Sequence, residues 1–365
     1  MPVTNAGPAP SPDGALRIRT DQWHLQYLKV FEAHKVSQGE GVTVAVLDTG
    51  VDPHPDLRVN LLPGVSLIPD EPGDGRSDSD SHGTGMAGII AAHGGVGETG
   101  ALGIAPKAQI LPIKAFENDR EGDNDRLARA IEYSISEGAD VISISAGGGF
   151  SQRLSRALAA ARSANVVVVA AAGNRPDDID VIYPASSDGV IAVGGVDRGG
   201  RYASFSVTGP AVSIVAPAVD IYSTSSRGRY RKGTGTSDST AIVAGAAALV
   251  RSKYPDLPAS EVVHRLTATA VDKGPPGRDD QYGYGVIDLV AALSADVPPL
   301  GFNSSPSVPT AAQSSAAQPD TGSEDGESTV RGLLTLGVLL AVGGVWAAVA
   351  RRRRHSDDPP PRISR

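Results

Sequence analysis

A parallel α/β fold, with a central sheet and helices on both of its faces, is what this sequence predicts, and three observations predict it. Five short runs are rich in Val and Ile and apolar on both faces, as buried parallel strands are. Helical patterns alternate with those runs, as crossover connections between parallel strands require. Forty-three glycines among 365 residues, with only 4% aromatic content, suit tight turns and close packing between elements.

The strand runs are GVTVAVLD (41–48), AQILPIKAF (108–116), ADVISISA (139–146), ANVVVVAAA (164–172) and GVIAVGGV (189–196). Between them, NDRLARAIEYSISEG (124–138) places Leu127, Ile131 and Ile135 at successive i, i+4 steps and stops at Gly138. SQRLSRALAAARS (151–163) fills the next crossover, and Ala241 to Val250 reads as a buried apolar helix with Gly245 at a close-packing position. Residues 20–295 therefore form one domain. In such sheets the working residues sit at the C-terminal ends of strands.

The flanks differ in composition. Residues 1–19 are expected to be a flexible segment. Residues 296–331 are rich in Pro, Ser and Ala and carry the acidic cluster GSEDGE, which marks a linker. GLLTLGVLLAVGGVWAAVA (332–350) is uncharged and about the ~20 residues long that a bilayer span needs, and the tail 351–365 opens with RRRRH. By the positive-inside rule Arg351 to Arg354 are cytoplasmic, which makes the expected product a single-pass cell-membrane protein with its domain outside. No basic start followed by an apolar core precedes that domain. The readings left open are a true start upstream of Met1, another export route, or a tail anchor facing inward, and the first is preferred.

Composition also excludes. A net charge of -8 with no basic face in residues 20–295 argues against a nucleic-acid partner, and the lack of cysteine removes disulfides, thiolate metal sites and a cysteine nucleophile. Gly83, Gly85 and Gly88 stand in GxGxxG order, yet GDGRSDSDS precedes them where a dinucleotide site needs a strand. Those glycines are expected to let a neighbouring strand approach the helix that His82 opens.

Candidate chemistry begins at Asp48, which ends the first apolar strand before a glycine turn, a setting that suits an acid that must orient a histidine. Asp52 and Asp56 read as Asx turn residues. The histidines other than His82 read as surface or capping residues: His24, His34 and His264 in helices, His54 and His93 in turns, and His355 in the tail. The stretch GTGTSDSTAIVAG (233–245) offers five hydroxyls. Ser237, at the start of the last helix, reads both as an N-cap and as a nucleophile beside free backbone N–H groups.

DTGVDPHPDL, HGTGMAG, AAAGN and GTSDSTAIVAG, in that order, resemble the Asp, His, Asn and Ser motifs of the subtilisin-like serine proteases over roughly residues 38 to 290. The segment QWHLQYLKVFEAHKVSQGEGVTVAVLDTG, with the linker, span and arginine tail, resembles in particular the mycosins, membrane-anchored members that accompany type VII secretion systems. The resemblance implies that Ser237 attacks the scissile carbonyl, His82 carries the proton, Asp48 fixes the imidazole tautomer, and Asn174 completes an oxyanion hole with Ser237 N–H. It implies a substrate cleft along Ser143, Ser145, Ala146, Gly147 and Gly148 on one side and Ala170 to Gly173 on the other, pairing with an extended peptide. Two departures stand out. Asp238 follows the serine where the family has an apolar residue, and Ala241 replaces a proline.

Asp238 would gain from the helix dipole while its charge opposes a forming oxyanion. Family members often bind calcium, but ENDREGDND (117–125) lacks a calcium loop's ligand spacing, so it reads as a solvated loop and no metal or cofactor is expected. The expected partners are a protein or peptide substrate, the membrane and the type VII secretion machinery. The leading function is a membrane-tethered serine endopeptidase. A protease-fold scaffold in a secretion complex is the alternative, and a nucleotide-dependent enzyme a distant third.

Overall fold

In the structure, a computed structural model that describes residues 12–117 and 123–300, each of the five apolar runs forms a strand. In chain order the strands are β1 (Thr43–Asp48), β2 (Val65–Ser66), β3 (Gln109–Lys114), β4 (Val141–Ile144), β5 (Val167–Ala171), β6 (Val190–Val196), β7 (Val212–Pro217), β8 (Ile221–Ser225) and β9 (Arg229–Gly233). The first seven make one parallel sheet in the order β2-β3-β1-β4-β5-β6-β7, and β8 and β9 pair antiparallel as a separate hairpin. The helices are α1 (Pro12–Asp21), α2 (Trp23–Tyr27), α3 (Val30–Ala33), α4 (His82–Ala91), α5 (Asn124–Ser136), α6 (Gln152–Ser163), α7 (Thr236–Lys253), α8 (Ala259–Ala268) and α9 (Leu289–Ser294).

The pleat of β1 divides the core. Val44 and Val46 face the layer that holds α4 and α7, and Ala45 and Leu47 face the layer that holds α5 and α6. Both faces are therefore covered, which is why the strands are apolar throughout. Caps place the crossover helices: Asp123 accepts from Asp125 N and Arg126 N at the start of α5, and Ser151 from Leu154 N at the start of α6. Helix α7 is buried on all sides from Asp238 to Arg251, so it is built from small apolar residues. A Cβ on Gly245 would lie 2.7 Å from Ile104 Cβ, which is the close packing expected there.

The chain leaves β1 toward β3 and returns on the other side to β4, which puts a topological switch point at β1. Register then sets the level of the site. Leu47 pairs with Ile144 and Ile144 with Ala170, so the C-terminal ends of β1, β4 and β5 lie abreast.

Two expectations change and a third, the strand beside the α4 glycines, gains its identity. Residues 12–19 are helical rather than a loose lead-in: Ile18 is buried, and Arg19 donates to the carbonyls of Thr99 and Gly100. The strand that approaches the α4 glycines is the β8–β9 hairpin, which the apolar-run pattern misses because its residues are polar. Thr224 Oγ1 and Ser223 Oγ donate to the carbonyls of Thr84 and Gly85 across Gly88, where a Cβ would meet Thr224 Oγ1 at 2.1 Å. His24 and His54 are fully buried, so neither is a surface residue. Residues 1–11 and 118–122, the linker after Leu300, the stretch 332–350 and the basic tail lie outside the described residues. Among the described residues no helix is long and apolar enough to cross a membrane.

Candidate active site

Asp48 is the last residue of β1, 3% exposed, and its Oδ1 accepts from Thr49 N and from His82 Nδ1, both at 2.8 Å. A carboxylate that meets the ring at Nδ1 holds the proton there and leaves Nε2 as the acceptor. His82 starts α4 directly after Ser81, whose φ of 90° lies in the left-handed region that non-glycine residues avoid. Asp78, itself buried, holds that turn. Its Oδ1 accepts from Thr49 Oγ1 at 2.9 Å and from Ser81 N at 2.8 Å, and its Oδ2 accepts from Thr84 N at 2.9 Å. Thr49 Oγ1 in turn accepts from Gly83 N, so the strand end that carries Asp48 and the helix that carries His82 are laced together.

Asp52 belongs to this lacing, and Asp56 ties two other distant segments together, so the side chains of both serve more than local turns. Asp52 accepts from Asp78 N and Arg227 N, and Asp56 from Ala101 N and Tyr230 O–H.

Ser237 lies one residue inside α7, whose N-cap is Gly235 with φ 167°. The expected N-cap serine is therefore not a cap. The reason is Asn174: its Oδ1 accepts from Thr236 N at 3.0 Å and Thr236 Oγ1 at 3.2 Å, so a side chain from another part of the chain caps the helix. Ser237 is left with a part-exposed side chain, and Oγ donates to the Ser145 carbonyl at 3.3 Å. The other hydroxyls of the stretch are engaged elsewhere. Ser239 Oγ donates to the Ala216 and Pro217 carbonyls, Thr240 Oγ1 donates to the Thr236 carbonyl, and Thr234 Oγ1 accepts from Asp220 N. Because the Thr236 N–H requires an oxygen opposite it, the Asn174 amide presents its NH2 as the remaining donor.

A cavity of about 470 Å³ joins these groups, lined among others by His82, Asn174 and Ser237. Ser145, Ala146, Gly147 and Gly173 line it too, as the resemblance implies. Gly148 lies on an adjoining cavity and bridges to Tyr183, its N–H donating to that carbonyl at 2.7 Å. Ser143 is brought to neither cavity: it sits inside β4, 1% exposed. Sequence reasoning passed over Asp177, Asp178 and Ile182, which also line the cavity. Asp178 Oδ2 accepts from Asn174 N at 2.8 Å, a local link that the Asn-to-Asp spacing of four could have signalled.

Burial draws the His82 imidazole toward lower proton affinity, but the Asp48 charge and hydrogen bond overcome it and hold the ring above the ordinary histidine value. Asp238 is 2% exposed and is not among the residues that line the cavity. Burial raises its pKa, against the opposing pull of Arg231 and His82. Among the described residues no group of three or more His, Asp or Glu side chains is placed to hold a metal ion, and residues 118–122 of the acidic loop lie outside them.

Comparison with known proteins matches residues 39–285 to the subtilase family. The chain is 38% identical to the thermostable alkaline protease of Halalkalibacterium halodurans, over 74% of this chain and 72% of that protein. It is 37% identical to mycosin-1 of Mycobacterium tuberculosis, over 76% of this chain and 74% of that one. Among solved structures, MycP1 of Mycobacterium smegmatis superposes with a TM-score of 0.68 at 31% identity, over 80% of this chain and 89% of that one. MycP3 protease from the type VII (ESX-3) secretion system gives 0.66 at 34%, over 80% and 92%. A family match across the whole sheet, with relatives above 30% identity over three quarters of the chain, settles the membership: the chain belongs to the subtilase family and is a mycosin-like serine endopeptidase, a hydrolase of peptide bonds.

Proposed function

We infer that Asp48, His82 and Ser237 act as one catalytic unit on an extended polypeptide, with Asn174 and the Ser237 N–H as the oxyanion donors. The observation that carries this reading is the 2.8 Å contact of His82 Nδ1 with Asp48 Oδ1 beside a cavity that Ser237 also lines. In the reaction, Ser237 Oγ turns from the Ser145 carbonyl to His82 Nε2, which takes its proton as Oγ attacks the scissile carbonyl carbon. The oxyanion that forms meets the Asn174 NH2 and the Ser237 N–H, one of the first-turn amides that no helix carbonyl can satisfy. His82 then passes its proton to the leaving amine, and water releases the acyl group by the same route. The substrate backbone lies between Ser145–Gly147 and Ala171–Gly173.

The likeness to MycP1 and MycP3 supports a role beside a type VII secretion system. The apolar stretch 332–350 and the arginines behind it support anchoring to the cell membrane with the peptidase domain outside.

A fluorophosphonate probe tests the catalytic unit. Labelling that vanishes in Ser237→Ala is the expected result. A folded wild-type protein that takes no label would point instead to a protease fold used as a scaffold. Protease shaving of intact cells should remove the domain and leave the span; cleavage of the tail alone would reverse the orientation.

A further inference from the structure

Two charges on different elements converge behind the candidate nucleophile. Arg231 comes from β9 and Asp238 from the first turn of α7, one residue past Ser237. Two glycines make room for them. A Cβ on Gly85, one turn into α4, would lie 2.4 Å from Arg231 Nη1 and 2.7 Å from its Cδ, so the arginine lies across the helix that begins with His82. A Cβ on Gly233 would lie 2.5 Å from Arg231 Nη2 and 2.6 Å from Asp238 Oδ1, so both charged ends flank one small gap. Arg231 Nη1 and Asp238 Oδ1 are buried and without a hydrogen-bond partner among the described residues. A lone buried carboxylate is costly, and a guanidinium facing it across a gap of this size offsets that cost through space.

We propose that Arg231 is the built-in counter-charge of Asp238, and that the pair rather than Asp238 alone sets the electric field at His82 and Ser237. This rests on the catalytic unit inferred above. It makes both residues positioning residues, acting through the imidazole and the forming oxyanion without touching substrate. It also accounts for an acid next to the serine: the negative charge that would oppose the oxyanion is matched by one positive charge from the hairpin. The charges acting on the imidazole are Asp48 at the end of β1, which contacts it, and Arg231 on β9 and Asp238 on α7 through space; Asp80 accepts from His82 N, and Asp78 lies behind Asp48. Of these, Arg231 lowers the proton affinity of His82 and Asp238 raises it.

The test is a double-mutant cycle with Arg231→Met and Asp238→Asn in the full chain, read by NMR titration of the His82 imidazole and by the pH profile of kcat/KM. Arg231→Met should move the His82 titration to higher pH by about one unit and lower kcat/KM about tenfold at neutral pH. Asp238→Asn should move it to lower pH. The double variant should titrate near the wild type and recover most of the lost activity. A double variant no more active than Arg231→Met, or an Arg231→Met titration that stays put or moves to lower pH, would overturn the proposal. Should Arg231→Met fail to fold, a folded double variant supports the pairing. Failure of both leaves Asp238→Asn to decide, where an unmoved titration refutes it. The NMR titration needs no turnover, so a protein that fails to label with the fluorophosphonate loses the catalytic reading while the charge pair is still tested.

Discussion

Replacing Asp48 by Asn removes one charge and keeps the shape. An asparagine carbonyl placed at the Oδ1 position accepts from Thr49 N and His82 Nδ1 as the carboxylate does, because both donors converge on that one oxygen at 2.8 Å. The imidazole tautomer and its orientation therefore survive, and the loss is that of the field. Two opposite charges about 4 Å apart at an effective dielectric of about 20 attract by about 4 kcal/mol, so stabilisation of the imidazolium in the transition state should fall by that much and kcat by about 10³-fold. Burial alone lowers the His82 pKa, and the Asp48 contribution is what lifts it above the ordinary value. Without it, the rising limb of kcat/KM, which follows the neutral imidazole, moves to lower pH.

Stability carries the same sign. A raised folded pKa contributes stability that is present below the unfolded pKa and lost as pH rises through the folded one, so the gap between wild type and Asp48→Asn should be widest on the acid side of the His82 titration. Hydrolysis of a chromogenic peptide across pH, with urea unfolding at the same pH values, measures both. A loss below about tenfold, or a limb that moves to higher pH, would refute the reasoning.

Asn174→Leu should lower kcat about 10²–10³-fold with KM little changed, a magnitude known for the family's own asparagine and checked by steady-state kinetics. Ser237→Ala, His82→Ala and the double variant should lose similar amounts of peptidase activity, since a unit that acts together gives non-additive losses; clear additivity would break the assignment. Ser239→Ala should keep kcat while costing about 1–2 kcal/mol in urea unfolding, because its buried Oγ serves the Ala216 and Pro217 carbonyls and not the cavity. A Ser239→Ala enzyme as inactive as Ser237→Ala would move the nucleophile two residues along.

Five of the sheet's seven strands were legible, all but β2 and β7, because burial on both faces writes itself as unbroken apolar runs, such as ANVVVVAAA for β5. The hairpin was not: RYRKG carries three cations in five residues, and it is held as a strand by its pairing with β8 and by the hairpin's contact with α4, about 140 residues away in sequence. Asp48 and Asn174 read as candidates because each ends or follows an apolar strand, and His82 because it opens a glycine-rich helix. Ser237 was located for a mixed reason, since its place at the head of α7 is right and its capping role belongs to Asn174. His54 and Asp56 lie in a Pro-rich stretch whose local signal is a turn, while their partners, Ala101 and Tyr230, come from segments that no short-range pattern connects.

The bond from Thr236 N to Asn174 Oδ1 has a mechanical consequence. The backbone amide that it uses precedes the one that carries Ser237, so the donor amide of Asn174 is indexed to the same helix turn as the serine. In the reading proposed above, the attacking group and the oxyanion donor are thereby tied to one helix end. The wall at Ser145–Gly147 is held by β4 and the Gly148–Tyr183 bridge, and it meets that helix end only through the Ser145 backbone carbonyl that Ser237 Oγ contacts. Because that contact runs through backbone, side-chain changes in the wall should retune which peptide is accepted with little effect on the proposed alignment of attack, an arrangement that lets selectivity drift without loss of chemistry.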